Sequence, residues 1–262
     1  MLKHLSRIVS AVLLAGAVSV VPAMAADLQQ IIASGKIRIG VPVDVAPFGS
    51  MDASNQPVGL DVDMTNAIAK ALGVTAELTP ITGANRIPYL MTDKLDIVIA
   101  AMGATPQRAL QIDFTSPYAA LSEGVFGPDN INVSSADQLG DYTIALTKGT
   151  TQDLLLTALA PNAKIQRYDD DASSAAAFLS GQAQLLATAD IVAQDIMSKN
   201  KGAVLHPKFI MSESPCYIGL PQGEPELLHW LNTYVHLGWH DGSLSALSQK
   251  WLGTNITSLP PI

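Results

Sequence analysis

One stretch decides the fold: LDIVIAAMGATPQRALQIDFTSPY, residues Leu95–Tyr118. Its first part, Leu95–Ala101, is an apolar run with one charge, which is typical of a strand buried on both faces of a parallel sheet. Thr105 is a preferred N-cap residue, and Pro106 suits the first position of a helix. The stretch therefore predicts a buried strand that leads directly into a helix.

Arg108 falls in the first turn of that predicted helix, where an acidic residue would be the usual choice. A cation beside the unpaired N–H groups of a helix start attracts a carboxylate, and Gly103 lets a ligand approach the backbone closely. An exposed arginine at the start of an ordinary surface helix is the competing interpretation. The surrounding sequence favours the anion site.

The chain before this stretch alternates strands and helices, which indicates a parallel sheet. The predicted elements are the strand Lys36–Val41, a helix capped by Asp61 and ended by Gly73, the strand Val74–Leu78, and a short helix capped by Asn85 that carries Arg86.

The alternation starts again after Asp129 and predicts a second α/β unit. The predicted elements are the strand Tyr142–Leu146, a small-residue loop Thr147–Gln152 that opens a helix and can present N–H groups to an anion, the strand Lys164–Tyr168, the helix Ala172–Leu179, the strand Gln184–Ala187 and the helix Asp190–Lys199. Two helices in Pro225–Trp251, separated near Asp241–Gly242, are expected to return to the first unit.

Residues 1–25 have the pattern of a cleaved export signal. Lys3 and Arg7 precede the apolar run Val9–Val21, and Ala23–Ala25 is a small-residue cleavage pattern. A membrane anchor is the alternative, but the run is shorter than the ~20 residues that span a bilayer. We expect cleavage after Ala25. The single cysteine, Cys216, has no partner for an intrachain disulfide.

Composition limits the possible partners. The predicted mature chain loses two of the 15 lysines and arginines and none of the 23 aspartates and glutamates, so its formal charge moves from −8 to −10. Such an acidic protein is unsuited to nucleic acid or an anionic membrane surface. With 48% hydrophobic residues, the chain can form one large or two medium packed domains.

Several motifs together resemble the periplasmic solute-binding proteins of polar amino-acid ABC transporters. They occur in the family order and cover nearly the whole predicted mature chain. These motifs are Gly59–Leu72, Asn85–Pro88, Thr105–Arg108, Asp113–Tyr118, Lys148–Thr151, Asp241–Ser243 and Lys250–Gly253.

The resemblance implies the type II periplasmic-binding-protein fold, in which two α/β lobes, each a mainly parallel sheet flanked by helices, are joined by two hinge strands. Those strands are expected near Ala119–Gly127 and Pro215–Pro221. Lobe 1 is then 26–122 with 219–262, and lobe 2 is 123–218. It also implies a periplasmic protein that closes on a small-molecule ligand and delivers it to an ABC transporter permease, and we expect a monomer.

The resemblance assigns the ligand carboxylate to Arg108, and Thr151 to the same ligand from the second lobe. The interaction between a guanidinium and a carboxylate, made through two hydrogen bonds, is stronger when the pair is buried than when it lies on a surface. The complete set of predicted ligand contacts is Arg108, Thr151, Arg86, Gly103, Ala101, Thr150, Asp190, Val45, Leu60 and Phe48.

The chain departs from the family pattern at several of these positions. Many relatives have an aromatic ring where this chain has Val45 and Leu60, and hydroxyl groups where it has Ala101 and Gly103.

The usual aspartate for the ligand's ammonium group corresponds to Ala189. Either the adjacent Asp190 replaces it, or the ammonium is bound in another way. Arg86 corresponds to a second ligand-binding arginine of acidic-amino-acid binders. Two arginines without an assured acidic partner favour an acidic or dicarboxylate ligand, or at least one without a net positive charge.

Other functions leave weaker signals. Cyclohexadienyl dehydratases resemble this family, and Asp44, Glu123 and Asp190 are the acid or base candidates near the cleft, but they form no recognisable catalytic arrangement. A ligand-sensing receptor component is a further alternative, although we expect no fused spanning helix or cytoplasmic domain. We therefore expect no catalytic residues.

Metal and cofactor signals are also weak. The histidines His229, His236 and His240 could share a helix face but lack a HExxH arrangement, and no complete nucleotide loop is present. The three tryptophans are predicted to pack in the fold. We expect no metal and no cofactor.

Overall fold

A computed structural model describes residues 27–254 of the 262-residue chain. The export signal predicted over residues 1–25 lies outside the described residues. Within residues 27–254, no helix is both long and apolar enough to cross a membrane.

The helices are α1 (Leu28–Ser34), α2 (Leu60–Leu72), α3 (Arg86–Met91), α4 (Pro106–Ala109), α5 (Thr151–Leu159), α6 (Asp171–Leu179), α7 (Asp190–Lys199), α8 (Pro225–His240) and α9 (Ser243–Leu252). The strands are β1 (Lys36–Pro42), β2 (Asp44–Val45), β3 (Gly49–Met51), β4 (Pro57–Val58), β5 (Thr75–Ile81), β6 (Ile97–Met102), β7 (Ile112–Phe114), β8 (Ala119–Gly127), β9 (Thr143–Thr147), β10 (Lys164–Tyr168), β11 (Leu185–Ala189) and β12 (His206–Pro221).

The main sheet has the strand order β10-β9-β11-β8-β12-β6-β1-β5, and β7 also pairs with β12. The pairs formed by β1 with β5 and β6 are parallel, as are those of β9 with β10 and β11. We call β1, β5, β6 and β7, with α1–α4, α8 and α9, the first lobe, and β9–β11 with α5–α7 the second lobe. This architecture confirms the predicted α/β class with two mainly parallel units.

Strand β6 is central to the first lobe. It lies between β1 and β12, and five of its six residues are buried, as the continuous apolar sequence predicts. The strand begins at Ile97, two residues later than expected. The delay follows from Asp96, whose carboxylate accepts the N–H of Arg38 at 2.7 Å and binds the guanidinium of the same residue.

Strands β8 and β12 connect the two lobes. Strand β8 occupies Ala119–Gly127, the first predicted hinge segment, and β12 contains the second at its carboxyl end. The first part of β12 pairs with β8 up to Cys216, whereas Tyr217 and later residues pair with β6 and β7. The long strand β12 therefore runs from one lobe into the other.

The prediction that Asp61 caps α2 is wrong. The helix begins at Leu60 with Gly59 at the cap position, and Asp61 is fully buried inside the first turn. Gly59 has a φ of 142° and lies so close to Phe48 that an added Cβ would be 2.2 Å from the carbonyl oxygen of Phe48. Only glycine fits there, so the backbone contact sets the helix cap and the helix start two residues earlier than predicted.

Asn85 occupies the predicted cap position of α3, but its side chain does not cap the helix. Its Oδ1 atom instead accepts the N–H of Thr82 at 3.0 Å and closes the preceding turn.

Helices α8 and α9 pack on the first lobe, as predicted. The carboxylate of Asp63 in α2 accepts hydrogen bonds from Lys250 Nζ at 2.6 Å and Trp251 Nε1 at 2.7 Å. The rings of His236 and His240 contact each other edge to face, with centroids 4.5 Å apart, and His229 lines a separate groove.

Candidate functional site

Arg108 joins the first lobe to the second. The Thr105 hydroxyl accepts the N–H of Arg108 at 3.2 Å, and this cap fixes the single turn α4 just after β6. The guanidinium, in a residue only 5% exposed, donates to the carbonyl oxygen of Gly103 in its own lobe. It also donates to Thr151 Oγ1 at 3.2 Å and to the carbonyl oxygen of Gly149 at 2.9 Å, both in the second lobe.

Helix α4 has only four residues, so its dipole adds little to the attraction for an anion. The positive charge at this place comes from the guanidinium itself. Burial and the charge of Arg86 lower the pKa of Arg108 to about 10, which still leaves the side chain cationic at neutral pH.

Glycines let the two lobes approach backbone to backbone. A Cβ on Gly83, in the first lobe, would lie 2.7 Å from the carbonyl oxygen of Lys148 in the second. A Cβ on Gly149 would lie 3.0 Å from Ala84 Cα. These contacts bring the loop before α3 against the loop before α5.

Gly103 lies at the same junction. A Cβ there would lie 2.6 Å from Ser214 Oγ and 2.9 Å from Thr151 Oγ1. The hydroxyl groups of Ser214 and Thr151 thus fill the space that a side chain at Gly103 would need. The hydroxyls missing from the sequence at Ala101 and Gly103 are partly replaced by hydroxyls from other strands and helices.

Arg86 is a second buried cation at the junction. It is 6% exposed, and its Nε atom has no hydrogen-bond partner within residues 27–254. With Arg108 and Gly149 it lines a cavity of about 220 Å³ between the lobes. We call the surroundings of Arg86, Arg108, Gly103 and Thr151 the interlobe site.

Buried carboxyl groups surround these arginines. Asp44 Oδ2 accepts the N–H of Asp171 at 2.8 Å, which is another contact between the lobes. Burial, and then the charge of Asp44, raise the pKa of Asp171 to about 7, against the opposing effects of Arg86 and the hydroxyl of Thr147.

Glu123 on β8 is 4% exposed, and its Oε2 atom has no partner in the described part of the chain. Burial raises the pKa of Glu123 to about 8. The interlobe site therefore contains cationic and acidic groups together, and not two arginines alone.

Asp61 and Tyr118 support the floor of the site. The Tyr118 hydroxyl donates to Asp61 Oδ1 at 2.7 Å and accepts the N–H of Ala101 at 3.1 Å. Ala101 has a φ of 46°, a conformation that an alanine rarely adopts, and this hydrogen bond stabilises it. Complete burial raises the pKa of Asp61 to about 7.

The other predicted contact residues have different surroundings. Val45, Leu60 and Phe48 are buried members of the main hydrophobic core. The Thr150 hydroxyl donates to the carbonyl oxygen of Thr147 at 2.6 Å and caps α5. These four side chains therefore shape the walls of the two lobes.

Asp190 lies apart from the arginines. Its Oδ1 atom accepts the N–H of Ser122 at 3.2 Å and that of Ile191 at 2.8 Å. It lines a different cavity, next to Ser122 and Glu213, from the one that Arg86 and Arg108 line.

Three groups of the site, Glu123, Ser214 and Asp171, have weak sequence signals. Residue type and spacing mark Glu123 only as a candidate acid or base and do not distinguish Ser214 or Asp171. Asp171 ends the run Asp169–Asp171, which is typical of a solvated turn, yet it is 8% exposed. Only the contact between lobes brings these side chains to the arginines.

The fold and site together define a two-lobed binding protein, with two connecting strands and a charged site between the lobes. The family model of the bacterial extracellular solute-binding proteins, family 3, matches residues 37–254, and the chain belongs to that family.

Individual relatives agree with this assignment. The ABC transporter glutamine-binding protein GlnH of Bacillus subtilis (strain 168) is 28% identical over 222 residues, which cover 83% of this chain and 81% of the relative. The crystal structure of the solute receptor for L-cysteine of Neisseria gonorrhoeae is 30% identical, with a TM-score of 0.82, and covers 87% of this chain and 94% of that chain.

An ancestral amino acid-binding protein described as a precursor of cyclohexadienyl dehydratase is 31% identical to this chain. The TM-score is 0.78, and the match covers 86% of this chain and 98% of that chain. All three similar proteins are named as binding proteins or receptors, and none of the three as an enzyme.

Proposed function

We propose that this protein binds an amino acid or a related small carboxylate between its lobes and delivers it to an ABC transporter permease. The observation that carries the proposal is Arg108, a buried cation of the first lobe that contacts Thr151 and Gly149 of the second. A carboxylate at this place would be held by a guanidinium and shielded from water by both lobes. The relatives named above as glutamine and L-cysteine binders support the amino-acid class.

Closure of the lobes is the proposed mechanism. Contacts to Arg108 and Thr151 exist together only when the lobes are close, so a ligand that uses both favours the closed arrangement. Strands β8 and β12 are the segments about which the lobes would move. The closed form would then be the one that the permease recognises.

Arg86 and Arg108 support an acidic or dicarboxylate ligand as the finer proposal. Each could hold one carboxylate, and the buried Nε donor of Arg86 has no hydrogen-bond partner among residues 27–254. Calorimetric titration with glutamate, aspartate, glutamine and a non-amino dicarboxylate tests this preference. Tightest binding of lysine or arginine would contradict it.

Replacement of Arg108 by lysine tests the site itself. Lysine keeps the charge but loses the planar pair of donors, so we expect amino-acid affinity to fall by about tenfold or more. The matched control is Arg38→Lys, since Arg38 binds Asp93 and Asp96. That variant should lose stability with little change in affinity. Unchanged binding by Arg108→Lys would refute the role of Arg108.

The proposal also covers the mature N-terminus, the location, the oligomeric state and the lobe boundaries of the protein. The mature protein would begin after Ala25, be located in the periplasm and act as a monomer. Lobe 1 would comprise 26–122 with 219–262, and lobe 2 would comprise 123–218. Mass spectrometry of the secreted protein tests cleavage after Ala25, and light scattering tests the monomeric state. Limited proteolysis tests the lobe boundaries.

Catalysis is the weaker alternative. Two of the acid or base candidates already accept backbone hydrogen bonds, Asp44 from Asp171 and Asp190 from Ser122 and Ile191. We therefore propose binding without chemistry. Turnover of prephenate or arogenate by the purified protein would contradict this, and a ligand-dependent complex with a sensor protein would favour a receptor component.

A further inference from the structure

Glu123 is an unexplained carboxyl group at the interlobe site. It is more than nine-tenths buried, and its Oε2 atom lacks a hydrogen-bond partner among the residues described. A buried polar atom without a partner is costly, and native structures contain few of them. A hydrogen-bond donor from a ligand would remove that cost.

The strand pairing shows which way Glu123 faces. Ser214 on β12 is paired with Leu121 on β8, two residues before Glu123. Directly paired residues share one face of a sheet, as do residues two apart on a strand. Because Ser214 Oγ would lie 2.6 Å from a Cβ on Gly103, that face borders the interlobe site. Glu123 therefore projects toward the arginines.

The competing acids Glu213 and Asp190 line a different cavity, together with Ser122. Glu213 accepts the hydroxyl proton of Ser122 at 3.0 and 3.1 Å on the exposed side. Asp190 accepts the N–H of the same Ser122. Both acids therefore already accept hydrogen bonds, beside a cavity that Arg108 does not line.

Ala189 leaves room beside Glu123. The two residues are direct partners in the antiparallel pair of β11 and β8, so their side chains lie on the same face. A methyl group at this position cannot hold an ammonium ion, but it leaves the adjacent carboxyl group accessible from the site. Strand β8 thus supplies, through Glu123, the carboxyl group that is absent at position 189.

The charged groups around Glu123 fit a ligand of mixed charge. Arg86 on α3 and Arg108 on α4 attract its carboxylate, whereas Asp171 on α6 and Asp190 on α7 repel it. The Cys216 thiol on β12 is also within electrostatic range. A ligand with a carboxylate for an arginine and a cation for Glu123 would satisfy both kinds of group.

We propose that Glu123 binds the α-ammonium group of an amino acid whose carboxylate lies at Arg108. The assignment rests on the proposed function, which it makes more specific. It gives the site a preference for amino acids over the same carboxylic acids without an amino group.

Glu123→Gln removes the charge and keeps the shape. Affinity for the tightest binder among L-glutamate, L-glutamine, L-cysteine and L-arginine should fall by about 10- to 100-fold, as for other charge-assisted hydrogen bonds. Affinity for the same acid without its α-amino group should change less than about threefold, because that compound has no ammonium group to lose. Isothermal titration calorimetry measures both affinities.

Glu213→Gln is the matched control, since it makes the same change on the neighbouring strand, on the other face. It should leave both affinities within about twofold of the wild type. If wild-type protein binds amine-free carboxylic acids but none of the four amino acids, the assignment of Glu123 fails while the proposed carboxylate site stands; if it binds neither kind of compound, the proposed function fails as well. If wild-type protein binds one of them and Glu123→Gln binds it equally well, only the assignment of Glu123 is overturned.

Proton release gives a second readout that does not need a variant. Since the pKa of Glu123 is raised to about 8, the group is largely protonated at pH 7, and an ammonium ion bound beside it would displace the proton. Calorimetric titrations at pH 7 in phosphate and in Tris should show that nearly one proton is released for each amino acid molecule bound. The amine-free acid should show none. Equal proton release with both compounds would overturn the assignment.

Discussion

Gly83→Ala should prevent the two lobes from closing fully. The added Cβ would lie 2.7 Å from the carbonyl oxygen of Lys148 and 2.9 Å from Thr150 Cγ2. Both neighbours belong to the second lobe, so the collision arises only when the lobes meet. The Lys148 oxygen is a backbone atom and cannot rotate away. Relief therefore requires the lobes to separate locally.

The size of the effect follows from the cost of overpacking, which is typically about 1–3 kcal/mol. That cost applies to the closed form alone, so it weakens binding of a ligand that needs closure by about 5- to 150-fold. The melting temperature without ligand should change little if the lobes can separate freely. Calorimetry with the tightest-binding amino acid and a thermal melt measure the two quantities.

Gly40→Ala is the control. Its added Cβ would meet Leu95 Cδ1 at 2.7 Å and Ile81 Cδ1 at 2.9 Å, which are side-chain ends inside the first lobe. This variant should lower the melting temperature and leave the affinity of the folded protein nearly unchanged. If Gly83→Ala binds as tightly as the wild type, the proposed closure through this contact is refuted.

Two further variants test the site and its floor. Thr151→Val keeps the shape but removes the oxygen that accepts a hydrogen bond from Arg108 at 3.2 Å, so affinity for the amino acid should fall by about 3- to 30-fold in a calorimetric titration. The control is Thr157→Val, which removes the hydroxyl that accepts a hydrogen bond from Arg167 within the second lobe. This variant should leave the affinity unchanged. Asp61→Asn tests pH dependence: the raised pKa of about 7 means that the folded protein keeps a proton that the unfolded chain releases above about pH 4, so this residue's contribution to stability falls as pH rises from 4 to 7. Between pH 5 and pH 8 the unfolding free energy of Asp61→Asn should therefore gain about 2–3 kcal/mol relative to the wild type in denaturant titrations, and a relative loss would contradict the buried, protonated carboxyl.

Local sequence signals were sufficient for most of the secondary structure. The apolar run before Thr105 and the Thr105–Pro106 pair predicted β6 and α4, because burial on both faces and helix capping depend on neighbouring residues in the chain. The prediction of where α2 starts was wrong because that start depends on a contact between residues that are not neighbours in the chain. Asp61 has the chemistry of a cap, but a backbone contact between Gly59 and Phe48 decides where that helix begins.

Motif order predicted the family and two residues that meet at the site. Arg108 and Thr151 lie in separate motifs, and the structure brings them into hydrogen-bond contact across the lobes. Whether they bind a ligand stays a prediction, as it does for the other residues of the predicted set. The titrations above address that question directly.

The sequence by itself determined the alternation of strands and helices, the acidic character of the chain and the motifs that mark its family. Only the tertiary structure decided which acid faces the arginines. Asp190 and Glu123 are both acidic, but the register of β8 against β11 and β12 places Glu123 on the inner face, while Asp190 is held by the N–H of Ser122. The face of a side chain depends on pairing between strands far apart in the chain, and residue spacing within one segment does not contain that information.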